Sequence, residues 1–134
     1  MVCGSIGYRG GGIEDIRNMY SLLESRGFSI VNHTSQNNGM DYSSIKDFRN
    51  KIELSRQIVN LDLEYIEKTD AIIVIANGPS YGTAIEMFVA KRSGKKVILL
   101  AKDPIPTPWP VNFSDYRVTN EGELIELLDQ LQSQ

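Results

Sequence analysis

The sequence predicts an α/β fold with a mostly parallel sheet, and three observations support that reading. Two apolar stretches, Ala71 to Ala76 and the core of Lys96 to Ala101, read as strands covered on both faces. Helical patterns alternate with strand patterns along the whole chain, as in a sandwich with right-handed crossovers. Turn-forming clusters sit where strands give way to helices, at the sheet edge where ligands collect. The expected architecture is a three-layer sandwich around five strands. Its order is flavodoxin/Rossmann-like, 2-1-3-4-5, which brings the first and third strand ends to one switch point. The 134 residues suit one domain, 1–134, with a core of its own.

Met1 to Cys3 forms the core of a short first strand. In the stretch Gly4 to Gly12, six of nine residues are Gly or Ser, so backbone N–H groups can approach an anion unobstructed. A glycine loop between a first strand and a first helix is a phosphate-binding layout. A plain flexible connection is the alternative, because there is neither a Walker lysine nor an intact G-x-G-x-x-G. The first helix runs from Glu14 to Arg26 and stops at Gly27. Phe28 to Asn32 is a second strand. His33, the only histidine, follows at its carboxyl end. It either contacts a ligand or bonds locally to backbone, and alone it cannot assemble a metal site. His33 to Ser44 is polar, with a turn at Asn37-Asn38-Gly39.

A long helix covers Ile45 to Lys68. Asp62 lies within it, and its neighbours one turn away are Ile58, Val59, Tyr65 and Ile66, so it points inward. Burying a lone carboxylate is costly, which makes Asp62 a candidate general acid or a structural Asp bonded to a nearby loop. Glu64 and Glu67 read as solvated charges. The central strand Ala71 to Ala76 leads into the turn Asn77-Gly78-Pro79-Ser80 and a helix from Thr83. That junction puts Ser80, Gly82 and Glu86 in the ligand crevice. Thr83-Ala84-Ile85-Glu86 also matches a capping box, a purely structural use of the Glu.

The helix ends near Ser93-Gly94, and Lys96 to Ala101 is the fourth strand. Asp103 to Pro110 holds four prolines and Trp109, which forbids regular helix or central strand. It reads as a lid or subunit contact, or as a surface loop with a packed Trp. Tyr116 to Val118 is a short fifth strand. Glu121 to Leu131 closes the chain as a helix with Leu124, Leu127, Leu128 and Leu131 on one face.

A net charge of −3 argues against a partner that is a nucleic-acid polymer, which calls for a basic face. It leaves room for a small anion at a helix N-terminus. The single cysteine, Cys3, allows no intrachain disulfide. No secretory signal or membrane-length apolar run is evident, so the expected setting is cytoplasmic, without a membrane partner.

Together these pieces resemble the nucleoside 2-deoxyribosyltransferase superfamily, most of all its Rcl-type branch, the 2′-deoxynucleoside 5′-monophosphate N-glycosidases. The residues that carry the resemblance are Cys3-Gly4-Ser5-Ile6, Arg9-Gly10-Gly11, Glu14-Asp15, His33, Asp62-Leu63-Glu64-Tyr65, Pro79-Ser80-Tyr81-Gly82 and Glu86. The resemblance implies that Glu86 is the nucleophile at the anomeric carbon and that Asp62 assists with the proton of the departing base. It implies that Ser5, Arg9, the loop glycines, Gly4, Gly10 and Gly11 among them, and Ser80 hold the 5′-phosphate, that Gly82 also borders the substrate, and that Ile6 and His33 flank the base. A retaining route of this kind fits two carboxyl groups about 5 to 5.5 Å apart. The family's usual first-strand Tyr is replaced by Met1. The loop is longer by Gly7 and Tyr8, which offers Tyr8 as a substitute hydroxyl. The Pro-rich loop replaces the segment by which a neighbouring subunit reaches the phosphate. The expected partner is a small nucleoside or nucleotide, the expected assembly a homodimer or larger, and no cofactor is expected. Base exchange between nucleosides is the alternative activity. A non-catalytic nucleotide sensor on the same fold is the alternative class.

Overall fold

The computed structural model describes residues 1–4, 12–34, 42 and 44–134. In chain order the described elements are β1 (Val2–Cys3), α1 (Gly12–Ser25), α2 (Ile52–Lys68), β2 (Ala71–Ile75), α3 (Tyr81–Arg92), β3 (Lys96–Leu100), α4 (Trp109–Asn112), β4 (Tyr116–Val118) and α5 (Glu121–Gln132). The four strands form one parallel sheet in the order β1-β2-β3-β4. Val2, Ile73, Ile98 and Tyr116 stand in register across it.

Because successive side chains of a strand point to opposite faces, the sheet supports two cores. On one face Val2, Ile73, Ile98 and Leu100 pack with Ile16, Tyr20 and Leu23 of α1 and Leu124 of α5. On the other, Cys3, Ile72, Val74, Val97 and Leu99 pack with Tyr65 and Ile66 of α2 and Met87 and Ala90 of α3. The result is the expected three-layer α/β sandwich. Helix ends follow the sequence signals. Gly27 and Gly94 have φ of +82° and +77°. Each lets the chain turn back so that the next residue's N–H reaches the helix, Phe28 to the Leu23 carbonyl and Lys95 to the Ala90 carbonyl.

Four expectations are corrected. The second strand, expected at Phe28 to Asn32, does not form, so the order 2-1-3-4-5 becomes four strands without that edge. The cause is the Tyr20 side chain. Its hydroxyl accepts the Val2 N–H at 2.8 Å and donates to the Val31 carbonyl at 2.9 Å. A phenol thus stands where a backbone ladder would join residue 31 to β1. The long helix begins at Ile52 rather than Ile45. Asp47 accepts the Arg49 N–H at 2.9 Å and its guanidinium at 2.8 Å, a local alternative to helical bonding. α3 begins at Tyr81, ahead of the expected Thr83. The Pro-rich stretch also runs into a short helix, α4, which tolerates Pro110 because that residue sits in the first turn. Trp109 is 69% exposed and stacks on Phe113. Among the described residues, no helix is long and apolar enough to cross a membrane.

Candidate active site

Where β2 ends, the turn through Asn77 to Ser80 hands the chain to α3. Ser80 is the N-cap, and its Oγ accepts the Thr83 N–H at 3.2 Å. The capping-box alternative for Glu86 therefore fails. The cap lies three residues before Thr83, and Glu86 is well inside the helix, free of that duty. Thr83, Glu86, Met87 and Ala90 form one buried stripe of α3. Met87 and Ala90 plug into the core, whereas Thr83 and Glu86 lie nearer the helix start, toward the carboxyl edge of the sheet. There β1 presents Cys3, whose thiol donates to Glu86 Oε2 at 3.6 Å. Burial, aided by the Glu86 and Asp62 charges, pushes the Cys3 thiol well up, so it stays protonated and keeps donating.

α2 supplies the second carboxyl. Tyr65 and Ile66 anchor its inner face in the core, and Asp62, one turn earlier, shares that face. Asp62 and Glu86 meet in a side-chain hydrogen bond, which requires one proton between two carboxyl groups. Burial is the main reason that Glu86 is raised well above the usual carboxyl range. The hydrogen bond with Asp62 and the Asp62 charge add to it, and the Cys3 thiol pulls the other way.

These groups border a cavity of about 110 Å³. Gly4, His33, Asp62, Ser80, Gly82 and Glu86 all line it, so residues far apart in the chain and singled out from sequence share one hollow. Ser5, Ile6, Tyr8, Arg9, Gly10 and Gly11 lie outside the described residues. The cavity also holds side chains that sequence reasoning passed over: Cys3, Thr83 and Tyr42. Tyr42 lies in a polar stretch with no periodicity to mark it. Burial and the Glu86 and Asp62 charges push its hydroxyl up to about 12. Ile58, Leu63 and Ile85 make an apolar wall.

Two polar atoms here, Asp62 Oδ1 and Thr83 Oγ1, are buried without a hydrogen-bond partner among the described residues. Such atoms cost stability unless a ligand or water meets them. His33 is buried against Tyr20 and Tyr65. Burial lowers it to about 4, against a smaller opposing pull from Asp62, so the ring is neutral near pH 7. The arrangement combines unpartnered polar atoms, a neutral imidazole and a proton shared by two acids. That is the equipment for breaking a bond whose leaving group needs a proton.

A protein-family model described as Nucleoside 2-deoxyribosyltransferase matches residues 2–128. No curated protein matches the sequence.

Proposed function

The chain belongs to the nucleoside 2-deoxyribosyltransferase family, and from that premise we propose that it hydrolyses the N-glycosidic bond of 2′-deoxynucleoside 5′-monophosphates through a covalent glycosyl-Glu86 intermediate. The observation that carries this reading is the Glu86–Asp62 pair, two carboxyls sharing a proton at the wall of a cavity.

The shared proton sets the order of events. Substrate entry moves it from Glu86 to Asp62 along their hydrogen bond. Glu86 becomes the carboxylate nucleophile and Asp62 the acid. A Glu86 oxygen attacks C1′ as the C1′–N bond breaks, and the electron pair leaves on the base nitrogen, which takes the proton from Asp62. Water then attacks C1′, Asp62 accepts its proton, and the Glu86 carboxylate departs, restoring the pair. The Cys3 thiol, bonded to Oε2, holds one carboxylate oxygen and leaves the other to attack. Gly4, Ser80 and Gly82 line the cavity where a sugar phosphate would sit. Ser5, Arg9, Gly10 and Gly11 complete the phosphate cradle in this reading, and Ile6 and His33 flank the base. Tyr42, half-buried and lining the same cavity as both acids, is in this reading a further stand-in for the family's missing first-strand hydroxyl.

The family's description favours a second reading, in which a free base rather than water resolves the intermediate. We also propose a homodimer. Tyr81, Ile85 and Phe88 of α3 are exposed, and Ile85 lines the cavity as well, so a second copy seated on this face would help to close the site.

The test is incubation with a panel of nucleosides and their 5′-monophosphates, with chromatography for free base. Base released from a deoxynucleotide without an added acceptor supports hydrolysis, and release only with a second base supports exchange. Glu86→Ala abolishes either activity. Undiminished turnover in that variant removes the mechanism.

A further inference from the structure

Thr83 stands on the buried stripe of α3, one turn ahead of Glu86. It is only 9% exposed, and it lines the cavity. A threonine inside a helix commonly returns its hydroxyl to a carbonyl three or four residues back. Thr83 does not: its Oγ1 is buried with no hydrogen-bond partner among the described residues. The Thr83 backbone N–H is already spoken for, donated to Ser80 Oγ at 3.2 Å, so the side-chain hydroxyl is the one polar group left over. A buried hydroxyl without a partner costs stability. Valine would fill nearly the same space without that cost, so the hydroxyl calls for a use.

Stereochemistry supplies that use. In the proposed reaction Glu86 attacks C1′ from the face of the sugar opposite the base. In the natural nucleotides the base and C5′ share one face, and the opposite face of a 2′-deoxyribose carries one polar group, the 3′-hydroxyl. Thr83 and Glu86 are three residues apart on one helix, so they stand side by side with about 5 to 6 Å between their Cβ atoms. One furanose ring spans that gap. We infer that Thr83 is a specificity-determining residue: its Oγ1 hydrogen-bonds the 3′-hydroxyl and restricts the protein to nucleotides in which that hydroxyl is free. The inference rests on the proposed nucleoside site and adds the class of sugar it takes. Both groups are hydroxyls, so either can be the donor. A 2′,3′-dideoxy sugar leaves Oγ1 buried and unpaired. A 3′-phosphoryl group, as in a polymer, sets negative charge against a cavity of about 110 Å³ that two acids border, and is rejected.

Binding is measured by calorimetry in Glu86→Gln, which cannot turn over. The probes are the 5′-monophosphates of the common 2′-deoxynucleosides, each paired with its 2′,3′-dideoxy counterpart. The deoxy member of a pair should bind about tenfold tighter or more. Adding Thr83→Val should cost the deoxy member about tenfold and change the dideoxy member by no more than about twofold. Thr83→Ser keeps the hydroxyl and should keep the preference. Equal affinities within each pair overturn the inference, and so does a Thr83→Val loss shared by both members. Without nucleotide, Thr83→Val should melt no lower than its parent, because it removes an unpaired buried hydroxyl. A lower melting temperature, or failure to fold, means that the hydroxyl serves the protein itself and overturns the inference. No binding of any probe overturns it too, and base release by the wild-type protein then decides whether the proposed function falls with it. Hydrolysis can stand where the 3′-hydroxyl proves irrelevant, and a Thr83-dependent preference can stand without turnover.

Discussion

Two hollows open at the carboxyl edge of the same sheet, one on each face, and they differ in kind. The larger, about 370 Å³, lies on the α1/α5 face, bordered by Asp15, Ile75, Asn77, Lys102 and Glu121. Four of its polar residues are paired: Asn77 donates to Asp15 at 3.3 Å, and Lys102 pairs with Glu121 at 2.6 Å. The smaller, on the α2/α3 face, holds two acids sharing a proton, a thiol pointed at one of them and two polar atoms with no partner among the described residues. Volume and chemistry have separated. Paired charges at the rim of an open cleft are at rest, whereas buried, unmatched ones carry free energy that a ligand can release. The smaller hollow is therefore the one we propose as reactive.

The sharpest way to test that contrast is chemical. Asp62→Asn keeps the shape of the cavity and removes both the shared proton's acceptor and the acid for the leaving base. The loss in kcat should be about 10²- to 10⁴-fold. It should also be greater for bases that leave poorly than for nucleosides with an activated leaving group. A uniform small loss across leaving groups would make Asp62 a positioning residue only.

The same burial makes stability depend on pH with two opposed slopes. His33 is held near 4 against an ordinary 6.5, so between those values the unfolded chain binds a proton that the folded chain refuses. Its contribution is present above 6.5 and is lost as pH falls through about 4. Glu86 does the reverse. Its contribution is full below 4.5 and is lost as pH rises through its raised folded value. The wild-type profile between 4.5 and 6.5 should therefore be shallow. Glu86→Gln removes one slope. Its denaturant midpoint should climb with pH across that window, by up to about 3 kcal/mol of stability. At neutral pH it should exceed wild type. A Glu86→Gln profile as flat as wild type would mean that neither group is strained.

The sequence revealed one of these faces better than the other. Apolar runs located β2 and β3 because burial on both sides leaves a local mark, the positive-φ Gly27 marked the end of α1, and leucines on one face marked α5. Asp62 was legible because its neighbours one turn away are apolar. Cys3, Thr83 and Tyr42 were not, because a Cys in a strand, a Thr in a helix and a Tyr in a polar stretch look ordinary until tertiary packing brings them to Glu86. The failed strand at 28–32 shows the same limit. No local signal says that a phenol from α1 will take the Val2 N–H.

A smaller effect separates the scaffold of the reactive hollow from its chemistry. Ser80 caps α3 and also borders the cavity. Ser80→Ala should lower stability by about 1 kcal/mol through the lost cap. Ser80→Asp keeps a cap but places a charge beside the proposed phosphate. If phosphate binds there, Ser80→Asp should raise KM for the 5′-monophosphate and leave KM for the free nucleoside nearly unchanged. Equal KM changes for both would move the phosphate away from the α3 N-terminus.

The smallest expected effect bears hardest on the contrast. Lys102 and Glu121 are 59% and 43% exposed in their side chains, so their ion pair is well solvated. Exposed pairs of this kind contribute little, and Lys102→Ala should change stability by no more than about 0.5 kcal/mol. Turnover and KM should both remain within about twofold, since uncovering Glu121 here leaves no charge buried. If Lys102→Ala instead lowered kcat/KM tenfold or more, the larger hollow would have to touch the substrate. The ligand would then reach around the carboxyl end of β2 and use both faces of the sheet, with Asn77 at the crossing point between them.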